Sequence, residues 1–404
     1  MCWRASTAVF LAMVSLAAWP VAAQPASGNE TPDPSQAGGA HQVESGQHEP
    51  VVTMPERPWE VIEVAIALDT SGSMENLLEA ARLKLWEIVS DLSVLEPTPT
   101  LRVALLSFGN FANQREPGWV ALETDFTEDL DMVSERLFEL TSEGGNEYIG
   151  SVLNRAVNEL SWLPSSETLK LLFVVGNEPA NQDPRVGLTD VADVIRQQGI
   201  SLHLIFCGDG ESEEAETWVE LAELALGKFS TMDHRTEPVK VQTPFDQELA
   251  ALGAALNETF VPLGEESEDR LEKLIAWDER VEEHSLSAAA SRAEVKSSRM
   301  FSSSWDLVDA TEAGRVDLYE LDEAQLPQYL SEMSLEERET YVEDMRVRRA
   351  ELRDRIAELS QERRQHVVAQ MEAKGIDTSR AFDTVVRDAL REELEVAGFH
   401  VPGN

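Results

Sequence analysis

The residues best suited to chemistry stand together at positions 69–74: Asp69-Thr70-Ser71-Gly72-Ser73-Met74. One carboxylate and two hydroxyls at two-residue spacing are hard oxygen donors. Few such donors plus water suit Mg²⁺ and leave a coordination position open to a partner's carboxylate. The competing reading is a helix cap, in which Asp69 and Ser71 only satisfy amide groups. Other chemistry has weaker support. The chain has no G-x-x-x-x-G-K-[ST] phosphate loop and no G-x-S-x-G nucleophile turn. Its seven histidines are scattered without H-E-x-x-H or paired spacing, and His203, inside an apolar run, reads as a core or edge residue. The acidic run Glu211 to Glu216 admits a calcium reading, but a solvated helix entrance is simpler. Asp306 and Asp309 flank an apolar pair and read as turn caps. No nucleophile is paired with a base, so an enzyme is not expected.

Asp69 needs a strand that ends on it and a helix that starts behind it. Val61 to Leu68 is a nearly continuous apolar run, as expected of a strand buried on both faces. Leu77, Leu78, Ala81, Leu85, Ile88, Val89 and Leu92 then recur at helical spacing. Gly72 is expected to relax the turn between them. Further strands are predicted at Leu101 to Phe108, Trp119 to Leu122, Leu169 to Val175, Leu202 to Cys207 and Phe229 to Met232. Helices are predicted at Glu128 to Leu140, Glu147 to Trp162, Gly187 to Gln198, Ala215 to Leu226 and Phe245 to Asn257. Such alternation predicts an α/β fold with a doubly wound, mostly parallel sheet, whose ligands sit at the carboxyl ends of the strands.

The D-x-S-G-S motif at a strand-to-helix turn, within this alternation, resembles the von Willebrand factor type A domain and its metal-ion-dependent adhesion site. The resemblance covers about residues 60–260. It implies that Asp69, Ser71 and Ser73 hold a divalent cation, Mg²⁺ first, directly or through water. Two other loops depart from the family. Where members supply a threonine from a glycine-rich loop, this chain has Gly144-Gly145-Asn146-Glu147. Where they supply an aspartate after the fourth strand, it has Gly176-Asn177-Glu178-Pro179. Asn146 and Asn177 would then complete the shell, with Glu147 and Glu178 as auxiliary contacts. Together with Ser304-Trp305-Asp306-Leu307-Val308-Asp309-Ala310, these loops resemble an exported bacterial subgroup with a helical C-terminal tail. The implied function is protein binding, with a partner's carboxylate completing the metal shell. The alternative is a metal-free structural scaffold whose helical tail mediates protein interaction or self-association.

Composition narrows the field further. The 404 residues carry 75 acidic against 33 basic side chains, a net charge of −42, which argues against direct nucleic-acid binding. Two cysteines cannot build a disulfide scaffold. Residues 1–23 read as a secretory signal: Arg4, an apolar run, Pro20, then Val21-Ala22-Ala23. The protein is therefore expected to be exported, periplasmic or secreted, with no membrane span after cleavage. Cys207 would be its only cysteine, a buried inert thiol. Residues 24–58 read as a disordered linker, 59–262 as the type A domain and 263–404 as a helical C-terminal region. Residues 266–300 look helical and polar, with Trp277 and Trp305 as helix anchors and a loop around 305–309. Val342, Met345, Leu352, Ile356 and Leu359 follow three-four spacing that Arg349 interrupts. That suggests a short coiled coil, or a hairpin with a last helix from Ala381 to Val396 closed by Gly398.

Overall fold

Along the first strand, β1 (Val61–Asp69), even-numbered and odd-numbered side chains enter two different cores. Ile62, Val64 and Leu68 face one, Ala65 and Ala67 the other. Both faces are covered, so the strand has no reason to alternate polar and apolar residues. The computed structural model describes residues 60–399 except 94, 96–97, 165–167, 234–240, 299, 302–304 and 376–377. The expected leader at 1–23 and linker at 24–58 lie outside the described residues.

The sheet adds β2 (Thr100–Phe108), β3 (Val120–Thr127), β4 (Thr168–Gly176), β5 (Ser201–Cys207) and β6 (Lys228–Met232), in the order β3-β2-β1-β4-β5-β6. Every pair is parallel except β2–β3. The strand order reverses beside β1, so β1 and β4 flank the crevice where a ligand belongs in such a sheet. β3 runs longer than expected, because an edge strand tolerates the polar Glu123, Asp125 and Thr127 that break the apolar pattern.

One face carries α1 (Glu75–Ser93) and α2 (Leu130–Glu139); the other carries α3 (Ile149–Glu159), α4 (Leu188–Gln197) and α5 (Glu213–Ala225). The acidic run at 211–216 is the capped start of α5, where Ser212 Oγ accepts from Ala215 N. α6 (Asp246–Asn257) closes the alternating part. Beyond it lie α7 (Ser267–His284), α8 (Leu286–Ser297), α9 (Leu307–Glu312), α10 (Gln328–Ser331), α11 (Leu335–Lys374) and α12 (Phe382–Val396). No described helix is long and apolar enough to cross a membrane.

Of these C-terminal helices, α8 and α12 pack directly onto α1. α8 looks polar in sequence, yet residues 288–296 are buried against α1 and α6. Its alanines permit the approach: a Cβ on Gly253 of α6 would meet Ala293 Cβ at 2.8 Å. Arg292 and Lys296 enter the interior because carboxylates await them. Arg292 binds Asp131 and Asp278, and Lys296 binds Asp278 and Asn257. Trp277 anchors α7 edge-on against Phe138 of α2, and Trp305 leans on Phe260.

Three expectations about the tail are corrected. Residues 307–312 are helical rather than a loop, because Asp306 caps α9 by accepting from Asp309 N at 2.8 Å. α12 packs on α1 and the edge strand β6, where an apolar face was still open, rather than forming the expected hairpin with α11. Arg349 does not interrupt the α11 seam but completes it. It is 1% exposed, bonds Asp306 Oδ2 and Asp309 Oδ1 at 2.7 Å each, holds the Thr259 carbonyl at 2.6 Å and lies over the Phe260 ring. α11 thus packs on α6, α8 and α9 of its own chain. Its start is fixed by a Ser334–Glu337 capping box and its end by Gly375 at φ 60°.

Two predictions follow from these buried charges. Arg349→Met removes the cation paired with the buried Asp306 carboxylate and should cost about 3–5 kcal/mol in urea unfolding; a loss under about 1 kcal/mol would show that the contact does not lock the tail. Glu393 of α12 pairs with Lys228 at 2.8 Å and lies 3.2 Å from His203 Nε2. Burial alone would raise its pKa, but the interactions with His203 and Lys228 win and bring it from 4.5 down to about 2. A lowered carboxyl stabilises the fold above its unfolded pKa and loses that contribution as pH falls through the folded one. Glu393→Gln should therefore be less stable than the parent at neutral pH, and the deficit should shrink between pH 4.5 and 2. A deficit constant across that range would refute the pairing.

Candidate functional site

Asp69 closes β1 with its side chain buried and Oδ1 accepting from Ser71 N at 2.7 Å. That bond makes the turn, so the capping expectation holds for one oxygen. Its other oxygen, Oδ2, is buried and has no hydrogen-bond partner among the described residues. Ser71 Oγ and Ser73 Oγ lie 3.4 Å apart on one side of the turn, ahead of α1. Thr70 is tied elsewhere: its amide and hydroxyl both donate to the Phe108 carbonyl at 2.8 Å. Gly72 needs no left-handed backbone, and a Cβ there would come no closer than 3.6 Å to Gly144 N. The expected relaxing role for that glycine is not required.

The loop at 141–148 lies over this turn, with Glu143 N donating to the Thr70 carbonyl at 3.0 Å. Asn146 is exposed, whereas the next residue, Glu147, is buried with its carboxyl in hydrogen-bonding reach of Asp69 and Ser71. Glu147 was expected only as an auxiliary contact, and helix α3 starts two residues later than its apolar pattern suggested because Glu147 turns inward. Gln182 Nε2 holds its backbone carbonyl at 2.9 Å. Asn177 follows β4 directly beside β1, one residue after Gly176, whose Cβ position is 3.5 Å from Asp69 Cβ. Asn177 Oδ1 and Glu147 Oε2 are also buried without a hydrogen-bond partner among the described residues. Glu178 is half-buried; its charge acts on both Asp69 and Glu147, while its carbonyl accepts from Trp218 Nε1 at 2.7 Å.

Two residues that the sequence reading passed over assemble the edge. Gly109 lies so close that a Cβ would meet Glu147 Cγ at 2.7 Å and Asp69 Oδ1 at 2.8 Å. Its φ of 75° also demands glycine. Asn110, buried, donates from Nδ2 to the carbonyls of Thr70 at 3.2 Å and Thr141 at 2.6 Å, pinning the two loops together. The Gly-Asn pair directly after β2 was the available signal.

Electrostatically the edge is under tension. Burial raises the Asp69 carboxyl above its ordinary range, only partly offset by hydrogen bonds from Glu147 and Ser71. Burial, then the neighbouring charges of Asp69 and Glu178, push Glu147 up to about 10. Cys207, at the end of β5, is buried and raised well above its usual value by burial and then by the charges of Asp69 and Glu147, which keeps the thiol inert.

The donor set fits a hard divalent cation. Three unpartnered buried oxygens and two hydroxyls are all oxygen ligands, the set preferred by Mg²⁺ or Ca²⁺. No cluster of three or more His, Cys, Asp or Glu is placed to hold a metal among the described residues. An ion here would therefore draw on amide and hydroxyl oxygens beside its carboxylates.

The family description "von Willebrand factor type A domain" matches residues 63–234. No curated protein matches the chain. Among solved structures, proximal thread matrix protein 1 from the mussel byssus, with a zinc-occupied MIDAS motif, aligns at 17% identity over 44% of this chain and 42% of that one, TM-score 0.34. A von Willebrand factor type A structure from Catenulispora acidiphila aligns at 16% identity over 43% and 39%, TM-score 0.34. The SpRpn10 VWA domain aligns at 14% identity over 44% and 90%, TM-score 0.34. This chain thus spans about two fifths of the first two relatives.

The metal-free state gives a prediction. A carboxyl whose folded pKa is raised destabilises the fold progressively as pH climbs from its unfolded value to the folded one. In excess chelator, Glu147→Gln should melt above the parent at pH 8, with the gap closing toward pH 4.5. Equal melting temperatures across that range would show that Glu147 is not held against Asp69.

Proposed function

We infer, for a chain whose residues 63–234 form a von Willebrand factor type A domain, that the β1/β4 edge binds a divalent cation and through it a partner protein. The family commonly mediates protein–protein interaction, and the three unpartnered buried oxygens of Asp69, Glu147 and Asn177 carry the reading for this chain. Asp69, Ser71, Ser73 and Asn177 would hold the ion, with Glu147 in the position first assigned to the exposed Asn146. When bound, the ion would supply a strong local positive charge on a chain of net charge −42, to which a partner's carboxylate can bind. Mg²⁺ is the first choice because the site is small and oxygen-only. Residues 1–23 support an exported protein, and the absence of a paired nucleophile and base in the sequence supports a binder rather than a catalyst.

One observation favours the metal-free scaffold. A protonated Glu147 hydrogen-bonded to Asp69 satisfies part of the buried pair without any ion. Calorimetric titration with Mg²⁺, Mn²⁺ and Ca²⁺ separates the two. We expect binding near or below ~1 mM that Asp69→Ala abolishes and that Asn177→Asp tightens by about tenfold, since one more carboxylate enters the shell. No heat and no thermal shift with any of the three ions would leave the scaffold reading standing.

A further inference from the structure

A second cavity lies far along the chain from the adhesion edge. α6 and α7 stand apart over α8, leaving an open cleft of about 780 Å³. Its α6 wall is small and apolar: Ala250, Gly253 and Ala254. Its α7 wall repeats at three- and four-residue intervals, with Leu271 and Ile275 set among Glu268, Glu272, Glu279 and Glu282. Ile275 is 39% exposed, and the four glutamates are exposed and have no ion pair among the described residues. The cations of the cleft, Arg292 and Lys296, are already spent on Asp131 and Asp278, and the remaining rim acid, Glu258, is paired with Arg348.

Glu268/Glu272 and Glu279/Glu282 repel each other along the helix, an arrangement that costs stability unless a cation relieves it. At one end stand Tyr329 of α10 and Tyr341 of α11, edge to face with ring centres 5.8 Å apart, and Tyr329 is 43% exposed. Aromatic faces beside unpaired carboxylates attract ammonium and guanidinium groups. The acidic rim, the tyrosine rings and the apolar walls therefore select the same ligand: positive along one side, aliphatic along the other.

We propose that the cleft between α6, α7 and α8 is a docking groove for a cationic amphipathic helix of a partner protein. An occupant from a second copy is disfavoured by the charge of −42 on each chain. The segment at 24–58 is disfavoured too, with five acids against one arginine. The groove does not depend on the metal edge, since none of its lining residues belongs to that site.

The probe is a labelled helical peptide with lysines on one face and leucines on the other, titrated into the full chain by fluorescence anisotropy. A peptide with glutamates in place of the lysines is the control. Glu272→Lys with Glu279→Lys, both exposed, should weaken binding roughly tenfold, the size expected when several surface attractions become repulsions. Ala254→Trp, which fills the cleft without changing charge, should weaken it comparably. Glu213→Lys with Glu214→Lys at the start of α5, and Asp69→Ala in chelator, should leave it within about twofold, given that surface pairs elsewhere contribute little. Equal loss in the α5 variant would reduce the effect to undirected attraction and overturn the proposal, as would indifference to Ala254→Trp. Loss with Asp69→Ala would assign the peptide to the metal edge instead. A dimer in sedimentation that Ile275→Glu dissolves would seat a second copy in the groove and equally overturn it.

Discussion

A charge taken out of water must meet an opposite charge, and this chain obeys that requirement nearly everywhere it buries one. Glu63 pairs with Arg102, Asp246 with Arg363, Asp306 and Asp309 with Arg349, Asp278 with Arg292 and Lys296, and Glu393 with Lys228. Against that background Asp69 and Glu147 stand out. They are buried side by side at the crevice of the sheet with no cation beside them among the described residues, and each keeps one oxygen unbonded. Strain of this kind persists only where the surroundings enforce it, here through Gly109, Asn110 and the flanking strands. The molecule uses its scarce cations to fix its architecture and leaves the β1/β4 edge short of one.

The same accounting explains why the C-terminal helices lie against the sheet domain. Among the buried cations of the described residues, Arg292, Lys296, Arg349 and Arg363 lie on α8 and α11. Their carboxylate partners sit on α2, α6, α7 and at the start of α9. Each pair couples helix to helix with a directional bond, where apolar packing alone would allow sliding. Arg349 and Arg363 fall 14 residues apart on α11, in register with Val342 and Ile356. Apolar and cationic residues thus alternate along one seam.

The two candidate interfaces have opposite character. At the sheet edge, function would come from an added cation and the carboxylate it attracts. In the α6–α7 cleft, the carboxylates belong to this chain and the cation would come with the partner. A strongly acidic surface makes both readings electrostatically coherent, since each brings positive charge to a chain that lacks it.

The sequence alone determined the strand and helix order of the sheet domain, since continuous apolar runs and helical periodicity are local signals that two-sided burial imposes. It also placed Asp69, Ser71 and Ser73 on one turn, because a motif of five residues is read without any fold. Only the tertiary structure decided that Glu147, not Asn146, faces Asp69, since a one-residue choice within a loop depends on which side chain the neighbouring strand ends can accommodate. Only it gave Gly109 and Asn110 their roles, because their partners are 31 to 40 residues away in sequence. Arg349 is the clearest case. Read along the helix it is a break in an apolar seam; read in space it is the partner of Asp306 and Asp309, some 40 residues earlier. Hydrophobic periodicity carries no information about where a buried charge will find its opposite, and that pairing is what the folded chain supplies.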